Sequence, residues 1–248
     1  MKKIMLWILT LSVILFSPLS FSVAAAGENW YFSSKGNNDR PGLPSVPEEL
    51  AKGIGKDEKV LYLTFDAGYE NGNVAKTVEI LKENDVTGAF FILSHLIQSQ
   101  PELCKTIKEN GNLVCNHTST HPEIPTLSKE ALTKELETVA SLYREVTGYE
   151  MDPYFRPPKG CYSISSLEKV KEAGYRSVFW SLAWEDWDNN NQKPPEYAMK
   201  KLTSRVHNGA VILLHPTSET NTKILEDFIR QMKEAGYRFG SLEELWEN

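Results

Sequence analysis

From about residue 60 to the C-terminus, short apolar runs alternate with stretches in which apolar side chains recur every three or four positions. The run at 60–65 (Val-Leu-Tyr-Leu-Thr-Phe) predicts a strand, 74–83 carries helical spacing, and 88–93 predicts the next strand. A helix through Leu103 and Ile107 then precedes a strand ending near Asn116. After a polar loop, Ser128 caps a long helix whose stripe is Leu132, Leu136, Val139, Tyr143 and Val146. The same spacing predicts strand 154–156, helix 166–173, strand 177–181, helix 196–206, strand 210–214, helix 224–234 and short closing elements to Trp246. Lys-Glu-Ala-Gly-Tyr-Arg occurs twice, at 171–176 and 233–238, each time between a helix and a strand, so Gly174 and Gly236 fit the left-handed position after a helix. Repeated strand-helix alternation with a reused turn predicts parallel strands in a single barrel-like α/β domain at 60–248. No glycine-rich phosphate turn follows the first strand, which argues against a nucleotide-binding open sheet.

The N-terminus has a different character. Lys2 and Lys3 precede an uncharged apolar run at 4–16, and Ala24, Ala25 and Ala26 follow, the pattern of a secretory signal peptide at 1–26 cut after Ala26; an uncleaved anchor is the alternative. The expected location is therefore outside the cell, with no stable membrane span after cleavage. Losing two lysines and no acid moves the net charge from −6 to −8, which excludes counterion-driven nucleic-acid binding. Residues 27–59, rich in Gly, Pro, Asn and Ser, read as an extended arm. Cys104, Cys115 and Cys161 form no CxxC pair, and Cys104 and Cys115 read as small buried hydrophobes or as one bridge.

In a parallel barrel the polar residues just past the strand C-termini converge on one mouth. Here these are Asp66, His117 and His121, Arg156, Asp186 with Trp187, and His215. Pro122 and Pro125 place His117 and His121 in a loop, where two imidazoles are able to ligate one metal ion. Asp66 either caps the next turn or serves as a base held ionised by Arg156. Asp186 pairs with Arg156 or polarises His215, while His215 is either delivered to the mouth or is a buried structural histidine. His207 reads as a helix C-terminal residue, and His95 is ambiguous. Trp187 is the candidate sugar platform, and Tyr69, Glu70 and Asn71 are candidate polar groups at the mouth.

At Thr64-Phe65-Asp66, His117-Thr-Ser-Thr-His121, Arg156-Pro-Pro-Lys-Gly160, Asp186-Trp187 and Leu214-His215 the chain resembles the polysaccharide deacetylases with a NodB-homology domain, carbohydrate esterase family four. Within them it is most similar to the δ-lactam-biosynthetic de-N-acetylases of spore cortex, through residues 64–72, 178–181 and 190–193. The resemblance implies a distorted (β/α) barrel that removes acetyl from N-acetylmuramic acid of peptidoglycan glycan strands, with Asp66 as base, His117 and His121 as ligands of a divalent ion such as zinc, and His215 as acid. One position departs from the family. Ala67 stands where the family has a second, metal-binding Asp, so weak ion binding is expected. Lys159, next to the Arg156 motif, is the candidate partner for the lactyl carboxylate of muramic acid, a charge-assisted contact of roughly 1.5–3 kcal/mol if partly buried. Rival readings are a chitin or N-acetylglucosamine deacetylase, and a non-catalytic sugar-binding protein of the envelope.

Overall fold

The computed structural model describes residues 27–33, 36 and 39–247; the signal-peptide reading of 1–26 lies outside the described residues. In chain order the strands are β1 (Glu28–Asn29), β2 (Ala51–Lys52), β3 (Val60–Ala67), β4 (Gly88–Ile92), β5 (Leu113–Asn116), β6 (Tyr154–Phe155), β7 (Cys161–Tyr162), β8 (Arg176–Val178), β9 (Ala210–Leu214) and β10 (Arg238–Phe239). The helices are α1 (Asn73–Glu83), α2 (Ser94–Ser99), α3 (Pro101–Glu109), α4 (Lys129–Thr147), α5 (Ile164–Glu172), α6 (Pro195–Thr203), α7 (Glu219–Glu234) and α8 (Leu242–Trp246).

The alternation read from the sequence builds a parallel sheet that curls on itself. Neighbours run β10-β3-β4-β5-β6-β8-β2, and β9 lies along the other edge of β3, since Leu63 pairs with both Gly88 and Ile212. The gap between β8 and β9 is closed by two short segments. Ser181 and Leu182 donate to Val211 O, Leu213 donates to Leu182 O, and Ile54, just past β2, bridges Ala210. This is a distorted (β/α) barrel.

Side-chain alternation divides the core in two. Leu61, Leu63, Phe65 and Ala67 of β3 face outward into a layer shared with the helices, including Val78, Leu81, Phe228 and Ile229. Val60 and Tyr62 face inward to meet Ala89, Phe91, Cys115, Tyr154, Val178 and Val211, and Leu242 and Leu245 of α8 plug the end opposite the mouth. Thr64 and Asp66 continue the inward register, so β3 carries apolar side chains at its base and polar ones at its top.

Local signals act where expected. Ser128 accepts from Ala131 N–H at the start of α4, and Gly174 and Gly236 have φ of +91° and +83°. Two elements differ from the pattern: Val146 is 40 % exposed and Thr147 is buried in its place, because the stripe of the 19-residue α4 drifts round the helix by its last turn. α7 begins at Glu219, earlier than the apolar pattern showed, because Ser218 caps a polar first turn. The helix α2 escaped notice, being only six residues long. All three cysteines are buried and free, so the 104–115 bridge does not form.

The arm is part of the barrel. β2 joins the sheet beside β8, β1 pairs with β7, and Trp30 stacks on Phe179 at 4.1 Å while its Nε1–H donates to Trp180 O. Arg40 ties the lower end of the arm to the carbonyls of Asn208 and Gly55. His207, expected at a helix terminus, is fully buried behind the closing segment, with Nε2 2.9 Å from Ser181 Oγ and Nδ1 2.9 Å from Arg205 O. Next to it, Gly209 has φ +72°, and a Cβ there would lie 2.3 Å from Lys56 O and 2.7 Å from Gly55 C. Gly209→Ala is therefore expected to lower stability by about 2–4 kcal/mol, read as a fall in the urea midpoint with the m-value unchanged.

Candidate active site

Asp66, His117, His121, Lys159, Tyr69, Trp187 and His215 line one cavity of about 850 Å³ at the C-terminal ends of the strands. Arg156 is the floor of that site. Its guanidinium is fully buried, 4.2 Å above the Phe91 ring, and donates from Nη1 to Asp66 Oδ1 (2.7 Å), from Nη2 to Thr64 Oγ1 (2.8 Å) and Phe179 O (3.3 Å), and from Nε to Val178 O (3.0 Å). The ion pair of Arg156 with Asp66 is thus a buried one. Burial alone would raise the Asp66 pKa, but Arg156, followed by His117 and His215, outweighs it and holds the carboxyl below its ordinary value.

His117 donates from Nδ1 to Arg156 O at 2.8 Å, which fixes the tautomer and leaves the Nε2 lone pair facing Asp66 Oδ2 at 3.6 Å. Burial lowers its pKa to about 4, and burial lowers that of His121 too, so both imidazoles are neutral at pH 7. Their rings lie 4.9 Å apart. The turn between them is held in an uncommon conformation, with φ of +69° at Thr118 and +63° at His121. Three contacts impose it: Asn116 Oδ1 accepts from Thr118 N–H, Thr118 Oγ1 accepts from His121 N–H, and Glu135 accepts from the N–H groups of Ser119 and Thr120.

On the opposite wall Asp186 accepts from the Nδ1 and backbone N–H of His215 at 2.7 and 2.8 Å and from Asn221 Nδ2 at 2.6 Å. Of the two pairings open to Asp186, the structure adopts the one with His215. Burial works against charge on His215, yet the Asp186 carboxylate raises its pKa above the ordinary histidine value. Thr64 and Asn221 were missed in the sequence. Thr64 was legible as the inward residue two before Asp66, whereas Asn221 lies 35 residues from Asp186 and has no local signal.

Other candidates divide. Trp187 is 62 % exposed, its ring 6.5 Å from that of His215, and Tyr69 receives a hydrogen bond from Asn189 across the mouth. Asn71 does not line the cavity: its amide donates to Thr217 O and accepts from Asn73 N–H, tying the loop after β3 to that after β9. Glu70 likewise caps the start of α1 through the N–H groups of Gly72 and Ala75. Lys159 lies on the rim in an ion pair with Glu123 at 3.0 Å, both side chains well exposed. His95 is exposed on α2.

As for a metal, His117 Nε2 and the His121 ring are unengaged donors, but the Ala67 methyl is buried in the outer apolar layer. Among the described residues no set of three His, Cys, Asp or Glu side chains is grouped to hold an ion. Such a donor set fits an ion held weakly rather than a tight three-ligand site.

The profile described as polysaccharide deacetylase matches residues 53–178. The peptidoglycan-N-acetylmuramic acid deacetylase PdaA of Bacillus subtilis is 39% identical over 223 residues, 88% of this chain and 85% of that protein. The chain belongs to the polysaccharide deacetylase family. The solved structure of Bacillus subtilis PdaA, a family 4 carbohydrate esterase, superposes with a TM-score of 0.84 at 38% identity, covering 88% of this chain and 96% of that one. A family 4 carbohydrate esterase from Bacillus anthracis gives 0.69 at 36% identity, covering 80% and 87%. Deacetylases of this family are hydrolases, generally metal-dependent ones, and this chain's barrel is theirs.

If Asp186 governs the charge of His215, Asp186→Asn moves the His215 titration to lower pH than in the wild type, because burial then acts without its main counterweight. Imidazole proton shifts followed by NMR across pH 4–9 check this; an unmoved midpoint would place the cause elsewhere.

Proposed function

We propose that the chain hydrolyses the acetamide of N-acetylmuramic acid in peptidoglycan strands, releasing acetate and leaving a free amine, as a step towards muramic δ-lactam in spore cortex. One observation carries the reading: a carboxylate paired with the Arg156 guanidinium and an imidazole paired with the Asp186 carboxylate face the same cavity, in a chain 39% identical to an N-acetylmuramic acid deacetylase. A sugar-binding module would need stacking aromatics but neither of these opposed proton-transfer groups. The signal-like segment at 1–26 supports export to where peptidoglycan is found.

The steps follow from the two pairs. Asp66 takes a proton from water as the hydroxide oxygen adds to the acetamide carbon, giving a tetrahedral oxyanion. His215, with Nδ1–H on Asp186, presents Nε2–H to the cavity and delivers that proton to the nitrogen as the C–N bond breaks. Trp187 and Tyr69 at the rim offer faces for the sugar. A divalent ion held by His117 and His121 would add positive charge near the oxyanion, with its identity and its retention set by two nitrogen donors alone.

Asp66→Asn and His215→Ala are each expected to lower the rate by about two to four orders of magnitude, measured as acetate released from defined muropeptides. Turnover close to wild type in either variant would remove its assigned role. The kcat/KM profile is expected to fall as pH rises through the raised His215 pKa, and to fall on the acid side as His117 protonates at about 4 and Asp66 below the ordinary carboxylate range.

Lys159 remains the proposed reader of the lactyl carboxylate, with a smaller effect than a buried contact would give. Its ammonium is exposed and shared with Glu123, and such exposed pairs contribute about 0–1 kcal/mol. Lys159→Ala is expected to lower kcat/KM on peptide-free muramic acid substrates about two- to fivefold and to leave chitin oligomers unchanged, while Glu123→Ala, which frees the ammonium, raises it. A loss shared equally by both substrates would deny Lys159 this part.

A further inference from the structure

The cavity does not end at the catalytic groups. Its lining continues to Phe32 on the arm, to Trp180, Trp184 and Glu185 after β8, and to Arg205 in the turn before β9. The arm runs down this flank, fixed at its upper end by Trp30 N–H on Gly160 O and at its lower end by Arg40 on Asn208 O. The turn carrying Arg205 precedes the first residue of the five-residue β9, whose last residue precedes His215. About 17 Å of strand therefore separates the two levels, so Arg205 does not serve the acetamide being hydrolysed.

Arg205 also differs in charge pairing from the other cations of the site. Arg156 is committed to Asp66 and Lys159 to Glu123, whereas the Arg205 side chain has no hydrogen bond or ion pair among the described residues, Glu185 on the same wall included. A half-buried guanidinium without an acid, in a groove that is continuous with the catalytic mouth and also lined by three aromatic side chains, is suited to a sugar chain that carries carboxylates.

We propose that the groove between Phe32 and residues 183–185 is a second glycan subsite, in which the aromatics take a sugar and Arg205 pairs with the lactyl carboxylate of another muramic acid unit further along the same strand. The inference rests on the deacetylase reading for its ligand. It also makes the arm part of the substrate site, since Phe32 supplies one wall.

The test is binding of peptide-free peptidoglycan strands, sorted by length, to full-length chain carrying Asp66→Asn so that the ligand survives, with chitin oligomers of equal length as uncharged probes. Adding Arg205→Glu is expected to weaken long strands about tenfold or more, and to leave the shortest muramic acid disaccharide and the chitin oligomers unchanged. Arg205→Gln shows a smaller loss of the same selectivity and serves if the glutamate variant folds poorly. Phe32→Ala is expected to weaken long strands of both kinds. Unchanged binding of long strands in both Arg205 variants, or an equal loss on chitin, overturns the subsite. Acetate release by the wild type on the same strands is read separately: its absence would sink the deacetylase reading, while the binding comparison would still decide Arg205.

Discussion

A buried guanidinium organises this molecule. Arg156 enters the barrel just past β6 and spends its donors on β3, through Asp66 and Thr64, and on the chain at and after β8, through the carbonyls of Val178 and Phe179. Its own carbonyl takes the Nδ1–H of His117, and its backbone N–H donates to Asn116 O at the end of β5. One residue thereby sets the position of the carboxylate, the tautomer of an imidazole and the spacing of strands that are far apart in sequence. Removing either member of such a buried pair leaves an unpaired charge, typically a loss of about 3–5 kcal/mol, so the ionised state of Asp66 and the shape of the barrel top are one property.

That property requires the barrel to be narrow and closed around the arginine. Phe91 and Trp180 flank the guanidinium, at 4.2 and 5.6 Å, and exclude the water that would otherwise screen it. Trp180 is in turn held by the arm, through the Trp30 indole on its carbonyl, and the Ser181–Leu182 backbone completes the ring against β9. The segment with the least regular sequence, the arm, is thus tied to the segment that closes the barrel and to the wall of the catalytic cavity.

This distribution explains what could be read from the sequence. Strand and helix order followed from periodicity, because the longer strands β3, β4, β5 and β9 bury both faces and the longer helices bury one stripe, which are local patterns. Strand-end position located Asp66, His117, Arg156, Asp186 and His215, because a parallel barrel brings every such position to one rim. Pairing within the rim was not local: Asp186 with His215 rather than with Arg156, and Asn221 behind them, depend on how loops after β8 and β9 meet. Asn71 misled for the same reason, since a polar residue beside the mouth proved to be a brace between two loops. The arm's strand β2 was invisible because two residues carry no period.

The site's chemistry comes from giving two carboxylates different partners. Asp66 faces a permanent cation, whose guanidinium cannot lose its proton, so the negative charge stays on the carboxylate. Asp186 faces a group that can lose its proton, and its charge is used to retain that proton on His215. The two pKa values are pushed apart by these different partners, and the separation between them defines the pH interval in which an ionised carboxylate and a protonated imidazole coexist at one mouth.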